Sequence, residues 1–230
     1  MTTNTTPDDL SAIYARRFDS MREYRNQVWR ALIRHFFQRH VPADAAVLDL
    51  GCGYGEFINN ITAREKFGMD LNPDSKRHLN PGVKLLAQDC STRWPLADGS
   101  LDIIFTSNFF EHLPDKTALQ RTLAEARRCL KSGGRLIAMG PNIRCVPGAY
   151  WDFWDHYLPL TELSLAEGLQ SLGFEIVFQK ARFLPYTMSR KKPTPPPPPR
   201  ITNLLIKLYL RIHPAWRIFG KQFLVIAGKR

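Results

Sequence analysis

The sequence predicts an α/β fold, a doubly wound parallel sheet with helices on both faces. Two observations predict it. Short apolar runs alternate with segments of helical periodicity along most of the chain, which is typical of a parallel sheet. One of these runs, Ala45 to Leu50, leads into Gly51, Gly53 and Gly55, as expected where a buried strand turns into a ligand-binding loop.

The chain begins its regular structure with a long predicted helix, followed by alternating strands and helices. Apolar residues recur at helical spacing between Asp19 and His40, and glycines at Gly133-Gly134 and Gly173 indicate two helix ends. The final apolar run, 222–227, reads as a last strand. After the first helix, the predicted order is strand 46–50, helix 55–64, strand 66–70, helix 73–79, strand 83–88, strand 101–106, helix 117–130, strand 135–140, helix 161–172 and strand 174–181.

The glycine loop differs from the loop that binds dinucleotides. Its spacing is G-x-G-x-G with Asp49 two residues ahead, whereas the dinucleotide fingerprint is G-x-G-x-x-G and cradles a pyrophosphate. The loop is therefore predicted to bind a ligand without phosphates. Two further strands end in acids, Asp70 and Asp89, and a carboxylate about twenty residues after such a loop can accept both hydroxyls of a ribose.

Together, the segment Val47 to Phe57 and the acids that end the next strands resemble the class I S-adenosylmethionine-dependent methyltransferases, in particular the small-molecule, type 11-like enzymes with D-x-G-x-G-x-G. The resemblance covers roughly residues 11–180 and the last strand. It implies a Rossmann-like seven-stranded sheet, with strands 1 to 6 parallel and strand 7 antiparallel, and S-adenosyl-L-methionine as the cofactor. The segment Thr106 to Asp115 looks like the family's stretch beneath the sulfonium.

The resemblance also implies roles for individual residues. Asp70 is expected to hold the ribose and Asp89 the adenine amino group, with Leu71 and Cys90 beside the adenine. A nicotinamide-dependent reductase remains the rival for this pocket, although the glycine spacing and the lack of a Tyr-x-x-x-Lys pair argue against it. The predicted cofactor-binding residues are Asp49, Gly51, Cys52, Gly53, Gly55, Asp70, Leu71, Asp89, Cys90 and Asn108.

Length and composition predict one globular domain. The chain has 230 residues, of which 44% are hydrophobic and 23% charged, enough to bury one sizeable core. Residues 1–10 are polar and lack the features of a signal peptide, so we expect a disordered start and a cytoplasmic protein. The four cysteines have no paired spacing for zinc and are interpreted as reduced thiols, and no metal site is predicted.

The predicted domain spans 11–182 and 221–230, with an insertion at 183–220 between strands 6 and 7. The insertion contains Arg190-Lys191-Lys192 and a proline-rich run over 193–199, which should form a polyproline spacer or be disordered. Charge is divided at the same boundary. The net charge is +11, and residues 180–230 hold twelve Lys or Arg and no acid, leaving 20 basic and 21 acidic residues in the rest.

A helix from Ile201 would place Asn203, Lys207 and Arg211 on one stripe, with apolar residues around the remainder. It is too short to span a bilayer, because Pro214 interrupts it and a spanning helix needs about 20 apolar residues. We therefore expect residues 190–219 to contact an anionic membrane surface, as a peripheral element at the inner face. A helix packed on the protein's own core, or on a partner in a homodimer, is the alternative.

The acceptor side is predicted from the loop after strand 5, residues 140–157. Its aromatic residues either line a substrate cleft or pack the loop onto the sheet. Methyl transfer requires mainly approach geometry, for which orientation can supply about 7 to 11 kcal/mol, and a base is needed only if the acceptor loses a proton. For a hydroxyl acceptor the candidate bases are His156 and His112, with Asp155 or Tyr150 in orienting roles; purely structural roles for the two histidines stay open.

These observations predict an enzyme that methylates a hydroxyl or carboxyl of a small-molecule or lipid-linked metabolite, of glycan or secondary-metabolite type. The alternative is a nucleic-acid methyltransferase or RNA-binding protein that uses the basic C-terminal region. Against it, the chain lacks the Asn-Pro-Pro-Tyr and Asp-Pro-Pro-Tyr motifs of enzymes that methylate base amino groups, so nucleic acid is not the expected partner.

Overall fold

The computed structural model describes residues 21–72, 74–186 and 196–230. Outside these residues lie the disordered start predicted at 1–10, the beginning of the predicted domain and of its first helix, the first residue of the helix predicted at 73–79, the basic triplet Arg190-Lys191-Lys192 and the first part of the proline-rich run.

Within the described residues, seven strands form one sheet: β1 (Ala46–Leu50), β2 (Glu65–Met69), β3 (Val83–Leu86), β4 (Leu101–Ser107), β5 (Leu130–Pro141), β6 (Phe174–Lys180) and β7 (Gln222–Lys229). Their order across the sheet is β3-β2-β1-β4-β5-β7-β6. Strand β7 runs antiparallel to both of its neighbours, and the remaining strands are mutually parallel. The predicted topology is confirmed.

The helices mostly follow the predicted pattern with shifted bounds. The first is shorter than predicted, because it ends at His35 and a 3-10 turn, Phe37–His40, follows it. The helix predicted at 73–79 is reduced, within the described residues, to one short turn. The helices are α1 (Arg22–His35), α2 (Ser75–His78), α3 (Lys116–Cys129), α4 (Pro147–Tyr150), α5 (Glu162–Ser171), α6 (Pro199–Arg211) and α7 (His213–Phe219).

The helix predicted at 55–64 is wrong, since this segment forms a series of hydrogen-bonded turns. Asn60 explains the interruption. Its side-chain amide donates to the carbonyl of Glu56 at 2.8 Å, the acceptor that its own backbone N–H would use in an α-helix. The Asn60 N–H bonds instead to the carbonyl of Phe57. An asparagine side chain therefore replaces part of the helical ladder.

Gly133-Gly134 is not the helix stop that the sequence predicted. Helix α3 ends at Cys129 and β5 begins at the next residue, so both glycines lie inside the strand. Gly133 has φ of +77°, and the pairing of β4 with β5 shifts register beside this point. The glycines therefore accommodate an irregularity in the strand. Gly173, with φ of +81°, follows α5 and confirms the other predicted stop.

Two hydrophobic cores cover the two faces of the sheet. Alternate residues of each strand point to opposite faces, so Val47 contributes to one core and Leu48 to the other. The Val47 core joins the sheet to α1, α6 and α7, and includes Phe37, Phe183 and Trp216. The Leu48 core joins the sheet to α3 and α5. The helices of the predicted insertion therefore complete one face of the fold.

The insertion returns to the sheet at the edge where the parallel strands end. Gln222, the first residue of β7, pairs with Pro141, the last residue of β5. Helix α6 packs along α1, where Asn203 Oδ1 lies 3.0 Å from His35 Nε2. The predicted polar stripe of α6 is thus partly engaged with α1 at Asn203. Among the described residues, none of the helices combines the length and hydropathy needed to cross a bilayer.

Candidate cofactor and acceptor site

The glycine loop takes the tight conformation that its sequence predicts. Gly51, Gly53 and Gly55 have φ of +73°, +49° and +76°, a region that residues with a Cβ rarely adopt. A Cβ at Gly51 would lie 2.3 Å from the ring of Phe109, and one at Gly55 would lie 2.7 Å from the Asn59 amide. The loop therefore requires glycine at its first and third positions both for backbone conformation and for space.

Asp49 lies beneath this loop, almost completely buried beside Glu56. Burial raises the pKa of Asp49 well above its usual value, and the Glu56 carboxylate raises it further, while a hydrogen bond from the Ile58 N–H acts in the opposite direction. Glu56 forms an ion pair with Arg25 of α1 at 2.9 Å. The first helix is therefore tied by charge to the residue that follows the loop, and Asp49 connects β1 to the turn at Ile58.

Asp70 directly follows β2 and lies beside the loop. Its Oδ2 accepts from the Gly53 N–H at 2.7 Å and its Oδ1 from the Asn72 N–H at 2.8 Å. Burial raises the pKa of Asp70, although these two hydrogen bonds favour the carboxylate. Leu71, the next residue, is half exposed. The structure thus brings the predicted ribose acid into contact with the glycine loop.

Three other predicted cofactor residues, Asp89, Cys90 and Cys52, differ in their exposure and contacts. Asp89 is exposed, and its Oδ1 accepts from the Ser91 N–H at 2.7 Å in a local turn. The Cys90 thiol points into the core, 3.3 Å from Thr122 Oγ1, and burial raises its pKa to about 12. Only the backbone of Cys90 is therefore suited to contact an adenine. Cys52 is also buried, which raises its pKa and makes its thiol inert.

Polar groups at the end of β4 complete the cofactor side. Asn108 has φ of +50°, a conformation that asparagine tolerates better than most residues. Its Oδ1 and the Oγ1 of Thr106 are buried and have no hydrogen-bond partner among the described residues. Buried polar atoms generally have a hydrogen-bond partner, so these two are candidates to contact a ligand.

These features fit an adenosyl cofactor. The loop leaves room only for hydrogen at two glycines, Asp70 lies where a ribose carboxylate is expected, and two unpaired polar atoms lie at the end of β4. In open parallel sheets ligands bind outside the carboxyl ends of the strands, which is where all of these groups lie.

The four predicted acceptor-side residues come together in one cluster. His112 Nδ1 lies 2.9 Å from the Asp155 carbonyl oxygen and 3.1 Å from Asp155 Oδ2. His156 Nδ1 lies 3.0 Å from the carbonyl oxygen of Tyr150. The rings of His112 and His156 are 4.9 Å apart, so the loop after β5 closes onto the segment after β4.

Glu111 belongs to the same cluster and was missed by the sequence analysis. It is 4% exposed, and its backbone carbonyl accepts the N–H groups of Tyr157 and Leu158. Burial raises the pKa of Glu111 to about 7. Its position within the predicted sulfonium segment, immediately before His112, was the only available signal. The sequence could not reveal that the residue is buried against the histidines.

The charges of this cluster influence one another. Burial opposes the charged form of His112, but the hydrogen bond to Asp155 and the proximity of Glu111 outweigh it, and the net effect raises the pKa of His112. Burial and the Glu111 carboxylate raise the pKa of the Tyr150 phenol. The cluster therefore combines groups that accept and donate protons, and all of them except the partly exposed His112 are buried.

The aromatic loop does not pack onto the sheet as a whole. Tyr150 is fully buried, yet Trp151 is 60% exposed and Trp154 is 85% exposed. The alternative in which Trp151 and Trp154 pack the loop onto the sheet is therefore wrong for these two residues.

Comparisons with known proteins agree with the geometry. A family profile described as a methyltransferase domain matches residues 21–179. The chain is similar to malonyl-[acyl-carrier protein] O-methyltransferase of Methylococcus capsulatus, at 28% identity over 184 residues, covering 73% of this chain and 65% of that protein. It is also similar to sarcosine/dimethylglycine N-methyltransferase of Halorhodospira halochloris, at 29% identity over 114 residues, covering 45% of this chain and 40% of that protein.

The chain thus spans less than two thirds of the length of these curated relatives. Among solved structures, it is similar to a SAM-dependent methyltransferase from Archaeoglobus fulgidus, with a TM-score of 0.66 and 22% identity over 91% of this chain and 98% of that one. At this identity the similarity supports the fold alone.

Proposed function

The chain belongs to the class I S-adenosylmethionine-dependent methyltransferases, and on that premise we propose that it methylates a hydroxyl or carboxyl oxygen of a small-molecule or lipid-linked metabolite. When bound, S-adenosyl-L-methionine supplies an electrophilic methyl group on a sulfonium. The residues that would hold it are the glycine loop, Asp70 at the ribose, and the end of β4.

The observation that carries this proposal is a cluster in which the partly buried His112 meets four buried residues, Glu111, Tyr150, Asp155 and His156. A hydroxyl must lose its proton as the new oxygen–carbon bond forms and the carbon–sulfur bond breaks. A base placed in a water-excluded site contributes typically about 10² to 10⁴-fold to such a step. An amine acceptor that is already neutral needs less help, so an acid–base cluster at this edge favours an oxygen acceptor.

His156 is the first candidate to receive the proton. A carbonyl oxygen can only accept, so the Nδ1 facing Tyr150 must carry hydrogen, and in the neutral ring the lone pair is then on Nε2. Asp155 would orient His112 in the same way. For a carboxyl acceptor, which is already ionised at neutral pH, the cluster would position the oxygen and exclude water. The relative named as an O-methyltransferase of malonyl-[acyl-carrier protein] is compatible with that second case.

A location at the inner face of the membrane would suit a lipid-linked acceptor. One face of helix α6 packs against the protein, where Thr202 and Leu210 are buried. The opposite face is apolar and exposed. The basic residues Arg200, Lys207 and Arg211 follow one side of that face at helical spacing. The exposed apolar residues of α6, α7 and the turn between them are Ile201, Leu204, Leu205, Leu208, Ile212, Ile218 and Phe219.

We assign this surface to an anionic bilayer, because an apolar stripe beside basic residues complements acyl chains and acidic headgroups. No acidic residue lies between 180 and 230 to oppose the attraction. The chain after α7 enters the sheet where β5 ends, because Gln222 pairs with Pro141. Exposed Trp151 and Trp154, on the loop after β5, supply the aromatic side chains typical of a membrane interface.

The test begins with identification of the product. The protein is incubated with methyl-labelled S-adenosylmethionine and with aqueous and lipid extracts, and labelled products are analysed by mass spectrometry. A methyl ester is released by mild alkali and a methyl ether is not, so the two oxygen acceptors are distinguished. A labelled methyl on nitrogen or carbon as the main product would contradict the proposal.

The role of the cluster is tested on the identified acceptor. For a hydroxyl acceptor we expect His156→Ala to lower turnover by roughly 10² to 10⁴-fold with nearly unchanged affinity for the cofactor. His40→Ala, in the 3-10 turn remote from the acceptor cluster, is the matched control. Turnover close to that of the wild type in His156→Ala would return His156 to a structural role.

A further inference from the structure

We propose that Glu111, His112 and His156 bind a divalent transition-metal cation that holds the acceptor oxygen. One ligand atom from each of the three side chains lies within 4.8 Å of the other two. Two imidazoles and one carboxylate are a common ligand set for first-row metals, and three protein ligands leave coordination positions open for a substrate. This inference rests on the proposed function and deepens it.

Both histidines are oriented as metal ligands usually are. In each ring the Nδ1 faces oxygen acceptors: those of Asp155 for His112 and the Tyr150 carbonyl for His156. Nδ1 must therefore carry the hydrogen, which leaves the lone pair of each neutral ring on Nε2. Hydrogen bonds of this kind fix the tautomer and orientation of metal-binding histidines and raise their basicity.

The third ligand, Glu111, is a buried carboxyl group that a bound cation would stabilise in its charged form. It is 4% exposed, and burying a carboxylate is costly unless a cation accompanies it. Within the described residues, the ion pairs of lysine and arginine side chains are made with other acids. The groups that face Glu111 are His112, Asp155 and Tyr150, and the one that can carry positive charge, His112, is shared with Asp155. A bound cation would add positive charge between the two carboxylates.

An orphaned polar atom beside the three ligands gives independent support for a missing ligand. Tyr150 is fully buried, its ring lies 5.1 Å from that of His156, and its Oη has no hydrogen-bond partner in the described part of the chain. A cation with bound water or substrate would supply a partner for this phenol.

The cation would act on the acceptor rather than on the cofactor. Coordination of the acceptor hydroxyl lowers its pKa, so that its proton leaves to solvent and the oxygen is held as an alkoxide for in-line attack. The oxygen–carbon bond forms as the carbon–sulfur bond breaks, and S-adenosylhomocysteine leaves. No electron transfer is involved. In this refinement His156 serves as a ligand, and the metal takes over the task of the base.

Co²⁺ is a suitable probe because its visible absorption reports its ligands. We expect metal-free full-length protein to bind one Co²⁺ per chain in equilibrium dialysis, with a spectrum of mixed nitrogen and oxygen coordination. His156→Gln and Glu111→Gln should each lower Co²⁺ affinity by at least about 10-fold, while His40→Gln leaves it unchanged. Calorimetric binding of S-adenosylhomocysteine, measured in parallel, verifies that each variant is folded.

The possible results distinguish failure of the metal site from failure of the proposed oxygen methylation. Failure of the wild-type protein to bind stoichiometric Co²⁺, or equal binding by the wild type and both site variants, overturns the metal site regardless of how the variants fold. If oxygen methylation then continues in excess chelator, the proposed function survives and His156 acts as the base directly. If Co²⁺ binds as expected but the methyl group is found on nitrogen, the metal site stands and the proposed function fails.

Discussion

Asp70 links the glycine loop to the expected ribose position, so its removal should act mainly on the cofactor. Its Oδ2 already accepts a hydrogen bond from Gly53 at 2.7 Å, and a carboxylate can accept ribose hydroxyls in addition. We expect Asp70→Ala to weaken binding of S-adenosylmethionine and S-adenosylhomocysteine by about 1 to 3 kcal/mol, or roughly 5- to 150-fold, as measured by calorimetry.

Glu175→Ala is the matched control for Asp70→Ala. Glu175 lies on β6, is exposed and, within the described residues, forms an ion pair with the C-terminal Arg230. Its removal should leave cofactor affinity unchanged. Wild-type affinity in Asp70→Ala would show that the acid is not the ribose ligand.

Asp49 gives the glycine loop a dependence on pH. Its folded-state pKa is raised by burial and by Glu56, so the native state favours the protonated form more than the unfolded chain does. Stability from this group is therefore present below the unfolded pKa of about 3.9 and is lost as pH rises toward the folded value. We expect Asp49→Asn to raise the unfolding temperature relative to the wild type at pH 8, and by less at pH 5.

The asparagine side chain of the Asp49→Asn variant could still accept the hydrogen bond from the Ile58 N–H, which makes this substitution nearly isosteric. The measurement is thermal unfolding followed by circular dichroism, without ligand. Asp98→Asn is the control, because the pKa of the exposed Asp98 is lowered, chiefly by its hydrogen bond with Arg128, and its effect on stability should have the opposite sign. An equal shift of Asp49→Asn at both pH values would contradict the assignment.

At the scale of elements, helix α6 allows the electrostatic and the apolar contributions to membrane binding to be tested separately. The attraction of anionic lipid is about 1 kcal/mol per basic residue, and it is screened by salt. We expect Lys207→Glu with Arg211→Glu to weaken binding to anionic vesicles by more than about 30-fold at low salt. Leu205→Ser with Leu208→Ser should weaken it at low and high salt alike, because both leucines are about half exposed on the apolar face.

Lys116→Glu with Arg121→Glu is the matched control for charge, since these exposed residues lie on α3 and the net change is the same. Vesicle co-sedimentation and cofactor calorimetry are the measurements. Wild-type protein that ignores anionic vesicles at low salt would exclude the bilayer as the occupant of this surface. Salt-sensitive binding to RNA in its place would favour the nucleic-acid alternative.

Elements with a strong apolar period could be predicted from sequence, and elements governed by side-chain hydrogen bonds could not. The β1 strand was predicted with its bounds because all five of its residues are buried and apolar runs are easily read. The segment 55–64 has a helical apolar period, but Asn60 diverts the carbonyl of Glu56 from the helical ladder. The two glycines after α3 suggested a helix stop, but both lie within β5, at the point where its pairing with β4 changes register.

At the scale of the whole molecule, the topology and the family could be predicted because they depend on local motifs in chain order, whereas the cofactor-binding roles of individual residues stay predictions. The acceptor cluster depends on contacts between distant segments. His112 and His156 were candidates on their chemistry, but their 4.9 Å ring separation and the burial of Glu111 follow from how the loop after β5 folds over the end of β4. Sequence patterns do not encode that distance.

The two helices of the insertion pack against the rest of the fold, so we expect them to unfold together with the sheet. Trp216 of α7 is buried, and its ring lies 5.0 Å from that of Phe183 and 6.3 Å from that of Phe36, which follows the first helix. Its indole N–H donates to the carbonyl of Tyr209 at 2.9 Å. Loss of this side chain therefore opens a cavity between the insertion, α1 and the sheet.

We expect Trp216→Ala to lower the free energy of unfolding by about 3 to 5 kcal/mol and the unfolding temperature by about 10 °C, in a single transition. Trp154→Ala is the matched control, because Trp154 is 85% exposed and its loss should change stability by less than about 0.5 kcal/mol. Urea unfolding followed by circular dichroism is compared with hydrogen exchange across residues 196–221. If Trp216→Ala removes exchange protection from that segment while the sheet unfolds as in the wild type, the insertion is a separate unit, and its contacts with α1 do not stabilise the methyltransferase fold.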